Sequence, residues 1–131
     1  MDKKHDLISL EAGASPDQDE IRTVTHLVSL FGEPIRFLKE SVIDGVRTPD
    51  ILWNKRKWEI KNPRADGKYT IERCLQTASG QSENIIVDIR GSKMHESKAL
   101  SRLDYEFQHR RIIKRLLIIK KSGVTLAYTR E

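Results

Sequence analysis

Three charged side chains, Asp50, Glu59 and Lys61, lie within one short run of strand-forming residues, TPDILWNKRKWEIKNP, at positions 48–63. Two carboxylates suit a hard divalent cation, because such ions prefer oxygen ligands. A cation held there would polarise a phosphoryl oxygen and lower the pKa of a bound water. A neighbouring lysine would stabilise the charge that develops on phosphate. The three residues therefore indicate metal-assisted phosphodiester hydrolysis; the alternative is the ion-paired, solvated face of a β-hairpin.

The same run predicts a β-hairpin that would gather those charges. Its strands are expected at residues 50–53 and 58–61, joined by a four-residue loop at 54–57. The facing positions in that register are Trp53 with Trp58, Ile51 with Ile60, and Asp50 with Lys61. Because side chains alternate along a strand, the tryptophans and isoleucines share one face and the charges share the other. Facing side chains lie about 5 Å apart, so we expect the charges around one small volume and the tryptophans in the core.

Predicted helices and strands along the rest of the chain would support this hairpin. The segment SPDQ predicts a helix start, with Ser15 as N-cap, Pro16 in the first turn and Gln18 completing a capping box. The helix would end at Gly32. Its buried stripe is predicted as Ile21, Val24, Leu27, Val28 and Phe31. The later predictions are an edge strand at 34–38, a turn at Asp44 and Gly45, a helix capped by Thr70 with Ile71, Leu75 and Ala78 buried, a central strand at 84–89, a helix with Leu100, Leu103 and Phe107 on one face, and a hairpin of strands at 112–119 and 124–128.

The order α-β-β-β-α-β-α-β-β predicts a mixed α/β fold, with a central mixed β-sheet flanked by helices. The chain has 131 residues, which suits a single domain at 15–131 after a weakly structured lead-in at 1–14. Lys and Arg number 24 against 19 acids, and the net charge of +5 favours an anionic partner such as nucleic acid. The lone Cys74 excludes an internal disulfide, and we expect neither a signal peptide nor a membrane segment.

At these residues the chain resembles the PD-(D/E)xK nuclease superfamily, whose signature is present as Pro49-Asp50, eight intervening residues, then Glu59-Ile60-Lys61. The superfamily's restriction-endonuclease-like core matches the predicted element order from residue 15 to 90. With NIIVDIR and RIIKRLLIIKKSGVTLAY included, residues 15–128 resemble the C-terminal nuclease domains of contact-dependent growth inhibition toxins.

That resemblance implies a metal-dependent nuclease that cleaves RNA, usually tRNA, although other toxins on this fold cleave DNA. It also implies a cognate immunity protein, and delivery as the C-terminal part of a larger secreted protein into the cytoplasm of a target cell. Carried over by position, Asp50 and Glu59 become metal ligands, the Ile60 carbonyl could supply a third ligand, and Lys61 becomes the catalytic lysine. The cation would be Mg²⁺, with Mn²⁺ or Zn²⁺ as alternatives.

Many members of the superfamily add a glutamate from the first helix, and Glu20 occupies that place here. The alternative for Glu20 is a favourable interaction with the helix dipole, which Asp17 or Asp19 could equally provide. The chain departs from some relatives in having Lys57, not an acid, two residues before Glu59. Gln76 and Gln81 could contact substrate or be ordinary helix surface.

Clusters of basic residues provide candidate nucleic-acid contacts. Arg64 and Lys68 follow the proposed catalytic lysine on a loop, and Arg110 and Arg111 begin a basic run that continues at Lys114 and Arg115. These side chains could position phosphates. The run at 110–115 could instead be the solvated C-terminal end of a helix, whose dipole favours cations.

Two further classes of function remain open from the sequence. A metal-free ribonuclease would use histidines as acid and base, with His26, His95 and His109 as candidates, but no pair has a spacing that suggests cooperation. A non-catalytic nucleic-acid-binding module would keep the fold without the chemistry. The complete set of Asp50, Glu59 and Lys61 argues against that module.

Overall fold

A seven-stranded mixed sheet and three helices make up the described part of the chain, residues 7–41, 43 and 48–130 of the computed structural model. The elements are β1 Ile8–Leu10, α1 Gln18–Phe31, β2 Ile35–Phe37, β3 Ile51–Trp53, β4 Arg56–Lys61, α2 Thr70–Ser79, β5 Asn84–Asp88, α3 Glu96–His109, β6 Arg115–Ile119 and β7 Thr125–Thr129. The strands follow one another in chain order across the sheet. This arrangement confirms the predicted mixed α/β class. None of the described helices is long and apolar enough to cross a membrane.

Strand direction changes along the sheet. β2, β3 and β4 are antiparallel neighbours, whereas β4, β5 and β6 run parallel. The parallel crossovers carry α2 and α3, which pack on one face over Ile85, Val87 and Leu116. α1 packs on the other face against Trp53 and Trp58. The two layers bury both faces of the central strands, which is why β5 is apolar at consecutive positions.

The core role predicted for the two tryptophans is confirmed. Trp53 is 6% exposed and Trp58 is 7% exposed. Their rings lie 5.5 Å apart between centroids, and the Trp58 indole N–H donates to the Trp53 carbonyl. Burial and this hydrogen bond leave neither ring available for stacking on a base.

The predicted hairpin register is wrong by two residues. Ile51 faces Trp58, and Trp53 faces Arg56. The loop is the two-residue turn Asn54-Lys55, whose φ angles of 55° and 64° are the left-handed pair of a tight hairpin turn. A shift by an even number of residues leaves each side chain on its predicted face. The separation of apolar and charged faces is therefore as predicted, although the facing partners differ.

The amino-terminal predictions need two corrections. Residues 8–10, expected to be weakly structured, form β1, which pairs in parallel with β2. β2 is consequently not an edge strand, because β1 covers one side and β3 the other. β1 is a short strand that pairs across a helix, and no local pattern in its sequence marks it.

The start of α1 also differs from the prediction. Asp17, not Ser15, is the N-cap: its side chain accepts from the Glu20 N–H, and the Glu20 side chain accepts from the Asp17 N–H in a capping box. Gly32 ends the helix in a left-handed conformation, as predicted. In the predicted stripe Val24, Leu27 and Val28 are buried, whereas Ile21 and Phe31 are largely exposed.

The later elements agree closely with the sequence. α2 begins at Thr70, although Tyr69 occupies the cap position and no side chain caps the helix. Its predicted buried residues Ile71, Leu75 and Ala78 are buried, and so are Leu103 and Phe107 of α3. The terminal hairpin turns at Gly123, with φ of 91°. The turn predicted at Asp44 and Gly45 lies outside the described residues.

Candidate active site

Asp50 and Glu59 are held by the β3–β4 hairpin. Asp50 directly precedes β3; its N–H donates to the Trp58 carbonyl, and its carbonyl accepts from the Leu38 N–H. Its Oδ2 accepts from the Ile60 N–H at 2.8 Å. This fixes the carboxyl against β4. The ladder thus places the Asp50 side chain next to the strand that carries Glu59.

Lys61 and Glu59 form the buried half of the site. They are alternate residues of β4, and Lys61 Nζ lies 3.3 Å from Glu59 Oε2. The Glu59 side chain is 3% exposed, whereas that of Lys61 is 26% exposed. The lysine is therefore the member of the pair that reaches solvent. The other Glu59 oxygen, Oε1, is buried and has no hydrogen-bond partner among the described residues.

Glu20 reaches the same place from α1. The neighbouring Asp50 carboxyl acts electrostatically on Glu20. Glu20 simultaneously accepts from the Asp17 N–H at 3.1 Å. The residue thus lies in the first turn of α1, as the helix-dipole alternative requires, and also beside Asp50, whereas its part as a metal ligand stays a prediction. α1 brings to the site a residue that lies thirty positions from Asp50 in the chain.

The three carboxyls favour protons in the absence of a counter-charge. Burial raises the pKa of Glu20 to about 8, and the neighbouring Asp50 adds to the shift. Burial and then the charge of Glu59 raise the pKa of Asp50 to about 6. Burial also raises the pKa of Glu59, against the opposing influence of Lys61. Buried carboxyls whose pKa values are raised in this way are groups that a bound cation would stabilise in the ionised form.

The candidate ligand atoms at the site are oxygens, the type of ligand that a hard divalent cation binds. They are carboxylate oxygens, one of them Glu59 Oε1, which has no partner among the described residues. Ile60, whose carbonyl is the predicted further ligand, lies on the same strand. Such oxygens are the ligands that Mg²⁺ prefers. Within residues 7–41, 43 and 48–130, however, no three His, Cys, Asp or Glu side chains already surround a common metal position. Glu20 and Asp50 are nevertheless close enough for each to influence the pKa of the other.

Two cavities meet the candidate site. One, of about 320 Å³, is lined by Glu20, Asp50 and Gln81, together with backbone and side chains of the loops before α1 and β3. The other, a cleft of about 310 Å³, is lined by Lys61, Arg73, Cys74 and Thr77 among others. A third cavity, the largest of the described ones at about 420 Å³, lies at the opposite end of the hairpin beside Trp53 and Asn54 and contacts none of the four site residues.

Gln81, predicted either to contact substrate or to be ordinary helix surface, lies next to the candidate site. It follows α2 and lines the cavity with Glu20 and Asp50, and its buried Oε1 has no partner among the described residues. Gln76, the other candidate glutamine, is exposed on α2 and lines none of these cavities. Arg73 and Thr77 line the Lys61 cleft and were not predicted. Their spacing of four residues on one helix face was the only available signal.

The predicted phosphate-binding residues have different surroundings. Arg64 is ion-paired with Asp19, which ties it to the start of α1. Lys68 is exposed, with Nζ 5.4 Å from the centre of the Tyr69 ring. Arg110 caps α3 and lies 3.6 Å from Glu106. Arg111 is exposed and follows the helix.

Arg110 therefore fits the alternative interpretation of the basic run, as the end of a helix held by local contacts. Neither Arg110 nor Arg111 lines the two cavities that meet the candidate site. Lys68 and Arg111 are exposed and have no ion-pair partner among the described residues.

Among the described histidines, His95 and His109 are too far apart to form an acid–base pair. His26 Nε2 lies 2.7 Å from the Gly123 carbonyl oxygen. His95 and His109 lie at opposite ends of the 14-residue α3, a separation of about 20 Å at the helical rise. Burial raises the pKa of the nearby Cys74 thiol to about 11, so it stays protonated and poorly nucleophilic at neutral pH. The described titratable groups able to act together are thus the three carboxyls and Lys61.

Comparison with known proteins identifies the family. Residues 47–125 match the family described as the contact-dependent growth inhibition CdiA C-terminal domain. The chain belongs to this family. No curated protein matches the chain significantly. Among solved structures, a chain of the CdiA-CT/CdiI toxin and immunity complex from Burkholderia pseudomallei is similar, with a TM-score of 0.58 and 18% identity over 93% of this chain and 99% of that one. At this identity the likeness shows a shared fold alone.

As a CdiA C-terminal domain, the chain has a toxin function and corresponds to part of a larger secreted protein. The matched segment contains Asp50, Glu59 and Lys61, whereas Glu20 lies before it. The hairpin half of the site is thus inside the family match. Its α1 half depends on the geometry alone.

Proposed function

We propose that this CdiA C-terminal domain is a metal-dependent endonuclease of the PD-(D/E)xK type. The observation that carries the proposal is the convergence of Asp50, Glu59 and Lys61 on one hairpin, with the Lys61 amine 3.3 Å from a buried carboxylate. Metal-assisted phosphodiester hydrolysis needs carboxylates for a cation and a nearby positive group for phosphate. Glu20 adds a third carboxyl from α1.

Each residue has a distinct part in the proposed reaction. Asp50, Glu59 and, from α1, Glu20 would hold a divalent cation, Mg²⁺ in the first instance with Mn²⁺ or Zn²⁺ as alternatives, and the Ile60 carbonyl would add a ligand. A bound cation would supply Lewis-acid activation of phosphate and water. Lys61, fixed by Glu59 and open to the cleft, would orient the attacking water and stabilise negative charge on the phosphate. Gln81 would offer an amide oxygen to a water in the adjoining cavity.

RNA, and tRNA in particular, is the proposed substrate. The resemblance of the motif and of residues 15–128 to tRNA-cleaving toxin domains supports RNA, and the net charge of +5 suits any nucleic acid. DNA cleavage by the same site is the alternative function, because the hydrolytic chemistry at phosphate is common to both polymers. A non-catalytic nucleic-acid-binding module would leave the buried, unpartnered Glu59 oxygen without a purpose.

We further propose a cognate immunity protein as partner and the cytoplasm of the target cell as the place of action. The similar solved structure is a complex of a toxin with its immunity protein, and a nuclease that acts on cellular RNA requires such protection in the cell that makes it.

Expression in a cell that lacks the immunity protein tests the toxic activity. The unaltered domain should arrest growth and shorten a defined class of cellular RNA, whereas Lys61→Ala at equal abundance should do neither. Arrest by both proteins would show that toxicity does not depend on the proposed chemistry. Harmless accumulation of the unaltered domain would favour the binding module.

A further inference from the structure

An exposed tyrosine lies next to the Lys61 cleft. Tyr69, at the start of α2, is 47% exposed. Lys68 Nζ lies 5.4 Å from the centre of its ring and Arg73 Cζ lies 5.7 Å from it. Arg73 also lines the cleft with Lys61. An open aromatic ring flanked by two cations is thus continuous with the candidate active site.

A second tyrosine on α3 has the same kind of surroundings. Tyr105 is 50% exposed, and Arg102 Cζ lies 5.4 Å from its ring centre. The His109 ring stacks on it, with centroids 4.1 Å apart. Exposed tyrosine rings beside cations offer the two kinds of contact, stacking and charge, with which proteins bind single-stranded nucleic acid.

A groove beside Tyr105 extends to Lys68, the residue before Tyr69. Its volume is about 320 Å³, and its lining includes Lys68, Lys98, Ser101, Arg102 and Tyr105. Lys68 also lies over the Tyr69 ring, and Arg73, which lies over the same ring, lines the Lys61 cleft. Lys68, Tyr69 and Arg73 therefore lie between the groove and the cleft, and we call the three parts together the α2–α3 track.

All the charged side chains that line the groove and the cleft of the track are basic. No acidic side chain lines the groove or the cleft. Within the described ranges, the Lys68, Arg73, Lys98 and Arg102 side chains have neither an ion pair nor a hydrogen bond to another residue. Lys68 and Arg73 lie over the Tyr69 ring, and Arg102 lies over the Tyr105 ring. These cations are thus available to phosphates, and they lie beside aromatic rings of the kind on which single-stranded bases stack.

We propose that the α2–α3 track binds a single-stranded segment of the nucleic acid whose adjoining phosphate enters the Lys61 cleft. Bases stack on Tyr69 and Tyr105, and the backbone contacts Arg73, Lys98 and Arg102. The inference rests on the proposed nuclease function. It specifies an unpaired strand, because bases inside a duplex are stacked on one another and cannot reach a tyrosine ring.

The test is a binding titration on a Lys61→Ala background, in chelator, so that nucleic acid is bound without being cut. Fluorescein-labelled single-stranded RNA, single-stranded DNA and duplex RNA are compared by fluorescence anisotropy. Tyr69→Ala and Tyr105→Ala should each weaken single-strand binding by roughly 5- to 150-fold, the range for loss of one stacked base. Tyr69→Phe and Tyr105→Phe should bind like the parent. Arg102→Ala should lower the slope of log affinity against log salt by about 0.7.

Lys55→Ala, at the hairpin turn beside the largest cavity, is the matched control for loss of a cation, and its affinity should not change. Alanine variants that fold by circular dichroism yet retain full affinity would overturn the track, and so would preferential binding of duplex RNA. If unaltered protein cuts RNA while those variants bind normally, the nuclease function stands without the track. If unaltered protein neither binds nor cuts nucleic acid, the nuclease function itself fails.

Discussion

The Glu59 carboxyl is difficult to explain as a contribution to stability. It is almost fully buried, with one oxygen facing Lys61 and the other lacking a partner among the described residues. Burying an incompletely paired carboxyl costs free energy. A buried charge that the fold does not need is typical of a functional site.

Conservative substitutions should therefore separate activity from folding. Asp50→Asn, Glu59→Gln and Lys61→Ala should each lower nuclease activity by about 10²-fold or more. Thermal unfolding temperatures of Asp50→Asn and Glu59→Gln should stay equal to or above that of the unaltered protein, since Asn can still accept from the Ile60 N–H and Gln removes a buried acid. Lys61→Ala leaves the buried Glu59 carboxyl without its counter-charge, so its unfolding temperature should fall while the protein still folds. Lys57→Ala, exposed on the same strand, is the control for both measurements. Failure of Asp50→Asn and Glu59→Gln to fold would mean that the charges serve the fold.

The acidic cluster predicts an unusual dependence of stability on pH. Glu20 has its pKa raised from 4.5 to about 8 and Asp50 from 3.8 to about 6. Between pH values of about 4 and about 8, the folded protein thus binds more protons than the unfolded chain. Over that range the free energy of unfolding falls as pH rises. Metal-free protein in chelator should unfold at a lower temperature near the upper end of this range than near its lower end.

Glu20→Gln should flatten that dependence, and Asp66→Asn, on an exposed loop, should leave it unchanged. Asp88 does not contribute to the change over this pH range. Hydrogen bonds from Arg90 and Thr23 lower its pKa below 3.8, so the stability that it provides is lost only at more acid pH. An unfolding temperature that rises steadily across the range would contradict the described electrostatics of the cluster.

At the scale of elements, the start of α1 positions Glu20. The capping box formed by Asp17 and Glu20 sets the first turn of the helix beside the hairpin. Asp17→Ala should lower the free energy of unfolding by about 1 kcal/mol, the usual cost of losing an N-cap. Ser15→Ala should change it by less than about 0.5 kcal/mol. Denaturant unfolding of both variants checks this, and a larger loss for Ser15→Ala would place the cap where the sequence pattern suggested.

The sequence predicted the faces of the hairpin but not its register. Alternation of apolar and charged residues separates Trp53 and Trp58 from Glu59 and Lys61 in any register shifted by an even number of residues. The turn decides between such registers. Lys55 adopts a left-handed conformation that glycine usually occupies in tight hairpin turns, so no glycine marked the two-residue loop.

Elements held by distant contacts were less predictable than those with periodic patterns. α2, α3, β5 and the terminal hairpin follow from their own sequences. β1 exists because β2 lies beside it. Gln81 belongs to the site because the end of α2 approaches the loop before β3. These facts depend on packing between segments far apart in the chain.

At the scale of the whole molecule, the candidate site and the apolar cavity lie at different ends of the hairpin. The carboxyls, Lys61 and the α2–α3 track lie together, whereas the largest of the described cavities is apolar and lies beside the tryptophans. Cavity size alone would therefore point away from the candidate site. The grouping of titratable residues, and the family match that contains three of them, support the proposed location of the chemistry.

The most direct test of this account is cleavage by the purified domain. The domain is incubated with total RNA and with plasmid DNA, with magnesium and with excess chelator, and the cleaved ends are mapped. We expect RNA, chiefly tRNA, to be cut at defined positions with magnesium, no cleavage in chelator, and no cleavage by Glu59→Gln. Undiminished RNA cleavage in chelator, or equal activity of Glu59→Gln, would contradict the proposed site.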